Sequence, residues 1–276
     1  MTKISTFITH KMAESMADCQ DAYAIHAGNR AVAIADGVSE SLFPKVWAEI
    51  LTASFVSDGA FRLDADEKVA RARAQWRRFF VDRVESRMAE DSPLSWYLER
   101  CLAEEKSAGS TLVGIRATDG GVDYEALGDS CLVAVRDGCI ESLITSMPDG
   151  EAFGNQPDYI DSHPAHGMRG TPRTGALAMS PGDKLFLATD ALAERFDAER
   201  AAPDRGRSFV EAIDRLRTAC DFEQFVHALR RDGMADDDTT LVCIEWEHSP
   251  DFHIAGRAPE KVKPRKKGKR HARRKN

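Results

Sequence analysis

The chain has 276 residues and 42% hydrophobic content, which is enough for one sizeable core, so we expect a single folded domain. No run approaches the roughly 18 apolar residues that a membrane span needs, and the start lacks the apolar segment of a signal peptide, so we expect a cytoplasmic protein that does not contact membranes. The six cysteines are scattered without a CxxC pair, which favours reduced thiols in the core over a disulfide framework or a zinc site.

The net charge of −7 is distributed unevenly along the chain. Residues 257–276 carry eleven Lys or Arg and one acid, a net +10 that leaves −17 on the rest. Such an acidic body repels nucleic acid and can hold divalent cations wherever its carboxylates converge. Residues 262–276 have only Val262 and Ala272 as apolar residues to bury, and no Phe, Trp or Tyr to stack on bases. We therefore predict a domain at 1–250, a disordered basic tail at 251–276, and no nucleic-acid partner.

The first half of the chain alternates between strand and helix patterns. Two strands are predicted before Gly28-Asn29, a pair that favours a tight hairpin, and a third follows it. Between Pro44 and Lys106 the apolar residues recur with helical spacing, which predicts two or three helices. Short alternating segments separated by turn signals then predict an antiparallel meander of four strands, at 110–117, 122–128, 130–138 and 139–144.

The second half begins with a segment at 146–180 that is rich in Gly, Pro, His and Asp, and we predict a long functional loop there. A short buried strand at 184–189 follows, then two helices near 208–219 and 221–232, and a closing strand at 239–247. This order favours an α+β fold of antiparallel sheets covered by helices, and it disfavours regular βαβ alternation.

Four acidic motifs lie at the ends of predicted strands, and they contain Asp21, Asp36, Asp190 and Asp237. Each has an ordinary interpretation by itself, because Asp-Gly is usually a turn, consecutive aspartates are usually solvated, and Asp190 can cap a helix. Oxygen ligands select hard cations such as Mg²⁺ or Mn²⁺, and four carboxylates balance two divalent ions. Without metal, four converging carboxylates would repel one another.

Six short motifs give these aspartates a common context: CQDAY, IADGV, GSTLV, GDSCL, ATDAL and DDTTLV, in that order. Together they resemble the landmarks of the protein phosphatase 2C family over about residues 4–247, and the Cys-Gln-Asp form resembles a compact bacterial branch often found beside kinases. The resemblance implies an α-β-β-α sandwich of two antiparallel β-sheets flanked by helices. It also implies hydrolysis of phosphoserine or phosphothreonine in a protein substrate by a metal-activated water, without a covalent intermediate, and a cognate kinase.

The resemblance assigns roles to particular residues. Asp36 would bridge two Mn²⁺ or Mg²⁺ ions, and the carbonyl of Gly37 would bind one of them. Asp190 and Asp237 would complete the site, and Asp21 would bind directly or through ordered water. The catalytic residues implied are therefore Asp36, Asp190 and Asp237.

Three further positions bear on this metal site. Asp129 in the GDS motif would serve a weaker third ion, although its role as a plain turn residue stays open. Asp238 stands where the family usually has Asn, and it could tighten metal binding or tune selectivity. Ala191 stands where the family usually has Gly, at little cost if the backbone keeps a negative φ.

Another departure concerns the phosphate group of the substrate. Family members commonly carry an arginine about five residues before the first aspartate, and here that place holds Met16. Phosphate binding would then rely on the metals or on another cation, with Lys11, Arg169 and Arg173 as candidates beside their interpretation as solvated charges. The absent arginine also supports a different class of protein, a catalytically weak phosphatase-like module that binds phosphorylated partners.

The general acid is also open. Animal members have a histidine at the place of Val38, so protonation of the leaving group would fall to water or, less favourably, to His163 or His166. A serine nucleophile at Ser39 or Ser41 is disfavoured, because no GxSxG elbow is present.

Overall fold

The structure is a computed structural model that describes residues 1–59, 61–63, 66–90, 94–148, 151, 153–154 and 157–254. Residues 255–276, which hold all the basic residues of the predicted tail, lie outside the described residues. The described part ends in a short strand, Phe252–Ile254, that pairs with the first strand of the chain.

The described residues form fourteen strands and six helices. The strands are β1 (Thr2–Thr9), β2 (Ala22–His26), β3 (Ala31–Ala35), β4 (Gly109–Ser110), β5 (Leu112–Thr118), β6 (Gly121–Leu127), β7 (Cys131–Arg136), β8 (Cys139–Ile144), β9 (Tyr159–Asp161), β10 (Met168–Arg169), β11 (Arg173–Ala178), β12 (Lys184–Ala188), β13 (Thr239–Glu245) and β14 (Phe252–Ile254). The helices are α1 (Pro44–Ser57), α2 (Asp66–Ala89), α3 (Ser95–Ala103), α4 (Asp190–Ala201), α5 (Arg207–Ile213) and α6 (Ala219–Arg231).

Two large β-sheets form the centre of the fold. The six-stranded sheet has the order β14-β1-β13-β12-β7-β8, and the five-stranded sheet has the order β11-β6-β5-β3-β2. Their strand pairs are antiparallel, apart from the parallel pair of β1 and β14. A small third sheet, β10-β9-β4, adjoins them.

The alternation of side chains between the two faces of a strand explains how the sheets and helices form layers. In β3 the three alanines belong to the cluster that includes Trp47 and Phe55 of α1, whereas Val32 and Ile34 belong to the core between the sheets. In β12, Phe186 packs with the helices α4–α6, and Leu187 packs between the sheets. Since successive side chains of a strand point to opposite faces, each sheet contacts helices on one side and the other sheet on the other. The predicted α-β-β-α sandwich is confirmed.

Two local predictions are wrong. The expected meander breaks at the GDS motif, because β6 belongs to the five-stranded sheet and β7 to the six-stranded sheet. Alternation shows which residues of a strand face inward, but it does not show which sheet the strand joins. The predicted loop at 146–180 contains β9, β10 and β11, and the last of these is an exposed edge strand whose side chains carry no inward-facing apolar pattern.

Other local predictions fit more closely. The region from Pro44 to Lys106 forms three helices. The Gly28-Asn29 hairpin is present but contains a short 3₁₀ turn, and α4 adds a helix after Asp190. All six cysteines are unpaired, and Cys220 is exposed rather than part of the core. Among the described residues, no helix combines the length and apolarity that crossing a membrane would require.

Candidate active site

A cleft of about 510 Å³ opens where the connections β3–β4, β6–β7, β8–β9 and β12–β13 meet. Asp36 follows β3, Asp129 lies between β6 and β7, Asp190 follows β12, and Asp237 precedes β13, so the fold brings together acids that are far apart in the sequence. The cleft is lined by Asp36, Gly37, Val38, Ser39, Glu40, Thr111, Asp129, Gly154, Pro157, Tyr159, Arg169, Asp190 and Asp237.

The backbone of Asp36 is held on both sides by the GST motif. Its amide donates to Thr111 Oγ1 (3.0 Å), and its carbonyl accepts from Ser110 Oγ (2.8 Å) and the Thr111 amide (2.9 Å). Thr111 Oγ1 also lies 2.9 Å from Ser130 Oγ in the GDS motif. Two neighbouring hydroxyl residues therefore fix the backbone of Asp36 and tie it to the turn that carries Asp129.

Gly37 is buried beside Asp36 and forms an isolated bridge with Ser110. A Cβ atom at this position would lie 2.8 Å from Pro44 Cβ and from the Pro44 carbonyl carbon, closer than real Cβ contacts. The start of α1 is therefore packed against the backbone of Gly37, which only glycine permits.

Asp21 is buried next to the closing strand. Its Oδ2 accepts from Thr189 Oγ1 (2.9 Å), which in turn accepts from the Thr240 amide (2.9 Å). Its Oδ1 has no hydrogen-bond partner among the described residues. Threonines of the ATDAL and DDTTLV motifs therefore fix one oxygen of Asp21 and leave the other available.

Asp190 and Asp237 lie at the starts of α4 and β13. Asp190 is the first residue of α4, and its Oδ1 accepts from the Ala191 amide (2.6 Å). Asp237 Oδ1 accepts from the Asp238 amide (2.7 Å) and forms an ion pair with Lys11 Nζ (3.1 Å). Each carboxylate is thus partly satisfied by its own local backbone.

Asp238 is buried and does not line the cleft. Its Oδ1 accepts from the Lys11 amide (3.1 Å) and its Oδ2 from the Gln20 amide (2.7 Å). Both ends of the loop that leads to Asp21 are held by this one carboxylate. Buried Arg230 of α6 adds to the clamp by donating to the His10 carbonyl (3.1 Å). An asparagine could accept only one of the two amides, so the structure gives Asp238 a loop-holding role.

Burial and mutual repulsion raise the pKa of four of these aspartates, Asp21, Asp36, Asp129 and Asp190. Burial raises the pKa of Asp36 well above its ordinary value, and the charges of Asp21, Asp190, Asp129 and Asp237 add to the rise. Burial likewise raises the pKa of Asp129 to about 6 and that of Asp190 to about 7, with further contributions from Asp237. The pKa of Asp21 is raised by burial and by Asp190. Five aspartates are thus close enough to disfavour ionisation of their neighbours.

The donor set suits a hard divalent cation. All candidate ligands are oxygens, and the buried atoms Asp21 Oδ1 and Asp129 Oδ1 have no hydrogen-bond partner within the described part of the chain. In that same part, no three Asp, Glu, His or Cys side chains already surround one point as ligands of an ion. Anionic carboxylates without a counter-charge repel one another, so inward rotation of their side chains would accompany binding.

The other candidates are placed in different surroundings. Lys11 is engaged by Asp237, whereas Arg169 lines the cleft. Arg173 Nη1 donates to the Thr145 carbonyl (3.4 Å). His163 and His166 contact each other outside the cleft lining, with ring centroids 4.7 Å apart and ring planes inclined at 44°. Neither histidine is placed to act as a general acid in the cleft.

Two kinds of site residue were missed by sequence reasoning. Tyr159 and Glu40 line the cleft, but nothing in their local sequence separates them from other exposed residues. Thr189 and Thr240 hold Asp21, and the only available signal was that each stands beside an aspartate in its motif.

Comparison with known proteins identifies the family. A family model described as protein phosphatase 2C matches residues 11–231. Among solved structures, the photosystem II phosphatase PBCP is similar with a TM-score of 0.59 at 15% identity, covering 90% of this chain and 100% of that one. The Mycobacterium tuberculosis serine/threonine phosphatase PstP/Ppp has a TM-score of 0.51 at 17% identity, covering 90% and 99%.

A second structure, the catalytic domain of PstP in complex with two manganese ions, has a TM-score of 0.51 at 17% identity, covering 88% of this chain and 98% of that one. At these identities the structural likeness shows the shared fold. No curated protein matches the sequence. The family match spans most of the chain and confirms the predicted enzyme class, a protein-serine/threonine phosphatase. The chain belongs to the protein phosphatase 2C family.

Proposed function

We propose that this chain hydrolyses phosphoserine or phosphothreonine in proteins with Mn²⁺ or Mg²⁺ held in the carboxylate cleft. The observation that carries the proposal is the arrangement of Asp21, Asp36, Asp129 and Asp190. They come from four distant segments, burial raises the pKa of each, and no lysine or arginine forms an ion pair with them among the described residues. Buried anions without cationic partners are costly, and a divalent ion removes that cost.

Each residue of the site would have its own role in binding the metal ions. Asp36 and the Gly37 carbonyl would hold the central ions, because the GST motif fixes their backbone. Asp21, Asp190 and Asp237 would complete the coordination of two ions, whose charge of +4 would balance these four carboxylates. Bound there, the ions would activate a water molecule and offset charge on the phosphoryl oxygens.

Asp129 suits a weaker third ion. It lies on the same cleft, one of its oxygens lacks a partner in the described part of the chain, and its pKa of about 6 reflects burial. That third ion would bind last, because Asp129 is the only further aspartate of the cleft lining that could supply its charge.

The substrate would be a protein that a cognate kinase has phosphorylated. Among the described residues of the cleft, no serine is placed as a covalent nucleophile. Ser39 is exposed, and Lys11 Nζ donates to its Oγ (3.5 Å). Although burial lowers the pKa of Lys11, its ion pair with Asp237 raises it above the ordinary value, so this amine stays protonated and cannot take the proton of Ser39. Met16, which stands where the family has a phosphate-binding arginine, favours the second candidate, a module that binds phosphorylated partners with weak turnover.

The test is hydrolysis of a phosphothreonine peptide by the purified full chain with Mn²⁺, with Mg²⁺ and with chelator. We expect turnover only with metal, and we expect Mn²⁺ at about a hundred times its dissociation constant to stabilise the fold by about 2.7 kcal/mol. For a domain of this size that corresponds to a rise of roughly 5–10 °C in Tm. Turnover undiminished by chelator would eliminate the proposal. Phosphopeptide binding without turnover would favour the module.

A further inference from the structure

A phosphate dianion entering the cleft needs a cation besides any metal, and the structure restricts the choice. Met16 is apolar and 45% exposed. Lys11 is already paired with Asp237, at 3.1 Å, and does not line the cleft. Arg173 points to the Thr145 carbonyl. Arg169 lines the cleft and is exposed, and its side chain makes no hydrogen bond or ion pair with any residue that the structure describes.

We propose that Arg169 binds the phosphate group of the substrate at the rim of the cleft, in place of the arginine that Met16 replaces. This inference rests on the proposed phosphatase function and deepens it. A guanidinium presents two parallel N–H groups that match two phosphate oxygens, which gives both affinity and orientation.

The strand that carries Arg169 is anchored. Arg169 is paired with Tyr159 in the β9–β10 hairpin, and Tyr159 lines the same cleft. Trp47 Nε1 of α1 donates to the Ile160 carbonyl (2.7 Å). Buried Arg73 of α2 donates to the carbonyls of Asp161 (3.0 Å) and Gly167 (2.9 Å). Two helices therefore hold the hairpin, so only the side chain of Arg169 must become ordered when phosphate binds.

The residue after Arg169 constrains the backbone. Gly170 has φ +87°, and a Cβ atom there would lie 1.9 Å from Asp158 Oδ2. Only glycine therefore fits the left-handed conformation and the close approach of Asp158 at this position. The position of Arg169 is consequently set by the backbone on both sides, as expected for a residue that orients a ligand.

The experiment compares three variants of the full chain with the wild type in Mn²⁺. Arg169→Gln removes the guanidinium, and Arg169→Lys keeps the charge but loses the paired donors. Arg173→Gln is a matched control that removes an equal charge outside the cleft, from β11, the next strand along the chain. For each protein, KM and kcat are measured with a phosphothreonine peptide, together with the inhibition constant of inorganic phosphate. The melting temperature checks folding.

We expect Arg169→Gln to raise both KM and the phosphate inhibition constant about tenfold, because a charge-assisted hydrogen-bond pair is lost. The kcat of Arg169→Gln should change much less than its KM. For Arg169→Lys, we expect KM and the phosphate inhibition constant to lie between those of the wild type and Arg169→Gln. For Arg173→Gln, both constants should equal those of the wild type. An unchanged phosphate inhibition constant in Arg169→Gln, or an equal rise in Arg173→Gln, would overturn the inference. Absence of turnover in the wild type would instead reject the proposed function, so the two failures are distinct.

Discussion

Two regions of this molecule surround buried carboxylates in opposite ways: the cleft, and the remainder of the two sheets, where Glu125 and Asp183 lie. Glu125 of β6 is 4% exposed, and it is surrounded by Arg62 (3.1 Å), Arg116 (3.3 Å) and the amide of Leu63 (2.7 Å). Asp183 before β12 pairs with Arg136 at 2.9 Å. Although burial pushes the pKa of Asp183 upward, its hydrogen bonds outweigh burial and hold that pKa below its ordinary value.

In the cleft, by contrast, Asp36 and Asp190 form no ion pair with a lysine or arginine among the described residues. Burial raises the pKa of both, and neighbouring aspartates raise them further. A buried charge needs a partner, and arginine supplies it at Glu125 and Asp183. The lack of such a partner at Asp36 and Asp190 supports the proposal that a metal cation binds there.

Asp36→Asn should have the largest effect. Removing the central ligand should lower turnover by about a thousandfold or more, because metal-assisted charge stabilisation is lost. The loss is measured as the turnover rate with a phosphothreonine peptide in Mn²⁺. The control is Asp119→Asn, which changes a side chain that is 98% exposed. Wild-type turnover in Asp36→Asn would remove that residue from the site.

Carboxylate-to-amide changes in the two regions should shift stability in opposite directions. In chelator near pH 7.5, Glu125→Gln should lower the free energy of unfolding by about 3 kcal/mol, because Arg116 is left buried with a weaker partner. Asp190→Asn should instead leave the free energy of unfolding unchanged or raise it, because the amide removes a carboxylate charge that neighbouring aspartates repel. Urea unfolding of each variant measures the difference.

The stability difference between Asp190→Asn and the wild type should depend on pH. Since the pKa of Asp190 is raised to about 7 in the folded chain, its contribution to metal-free stability is present below its unfolded pKa and is lost as pH rises toward and through 7. The advantage of Asp190→Asn should therefore grow over that interval. If both variants lose equal stability at pH 7.5, the contrast between the regions is wrong.

Asp238→Asn should have the smallest effect. The amide can accept from only one of the Lys11 and Gln20 backbone groups, so we expect a loss of about 1 kcal/mol in stability. The affinity for Mn²⁺ should fall only a few-fold, because the loop leading to Asp21 loosens while every proposed ligand stays. A larger loss of Mn²⁺ affinity, without loss of stability, would mean that Asp238 itself binds metal.

The sequence by itself determined most of the strands and helices and the chemistry of the candidate ligands, although it did not reveal β9, β10, β11 or α4. The strands around Val32 and Leu187 and the helix around Trp47 were predictable, because alternation and helical spacing are local properties of the chain. Six ordered motifs also brought together the aspartates that the fold places on one cleft.

Only the tertiary structure decided which sheet each strand joins and which charges meet. The crossover at the GDS motif, the hairpin that holds Arg169 and the engagement of Lys11 by Asp237 all depend on contacts between residues far apart in the chain. The clamp of Asp238 on both ends of one loop is of the same kind. Such contacts leave no periodic signal, because their energy comes from packing and charge pairing between distant segments rather than from local backbone preference.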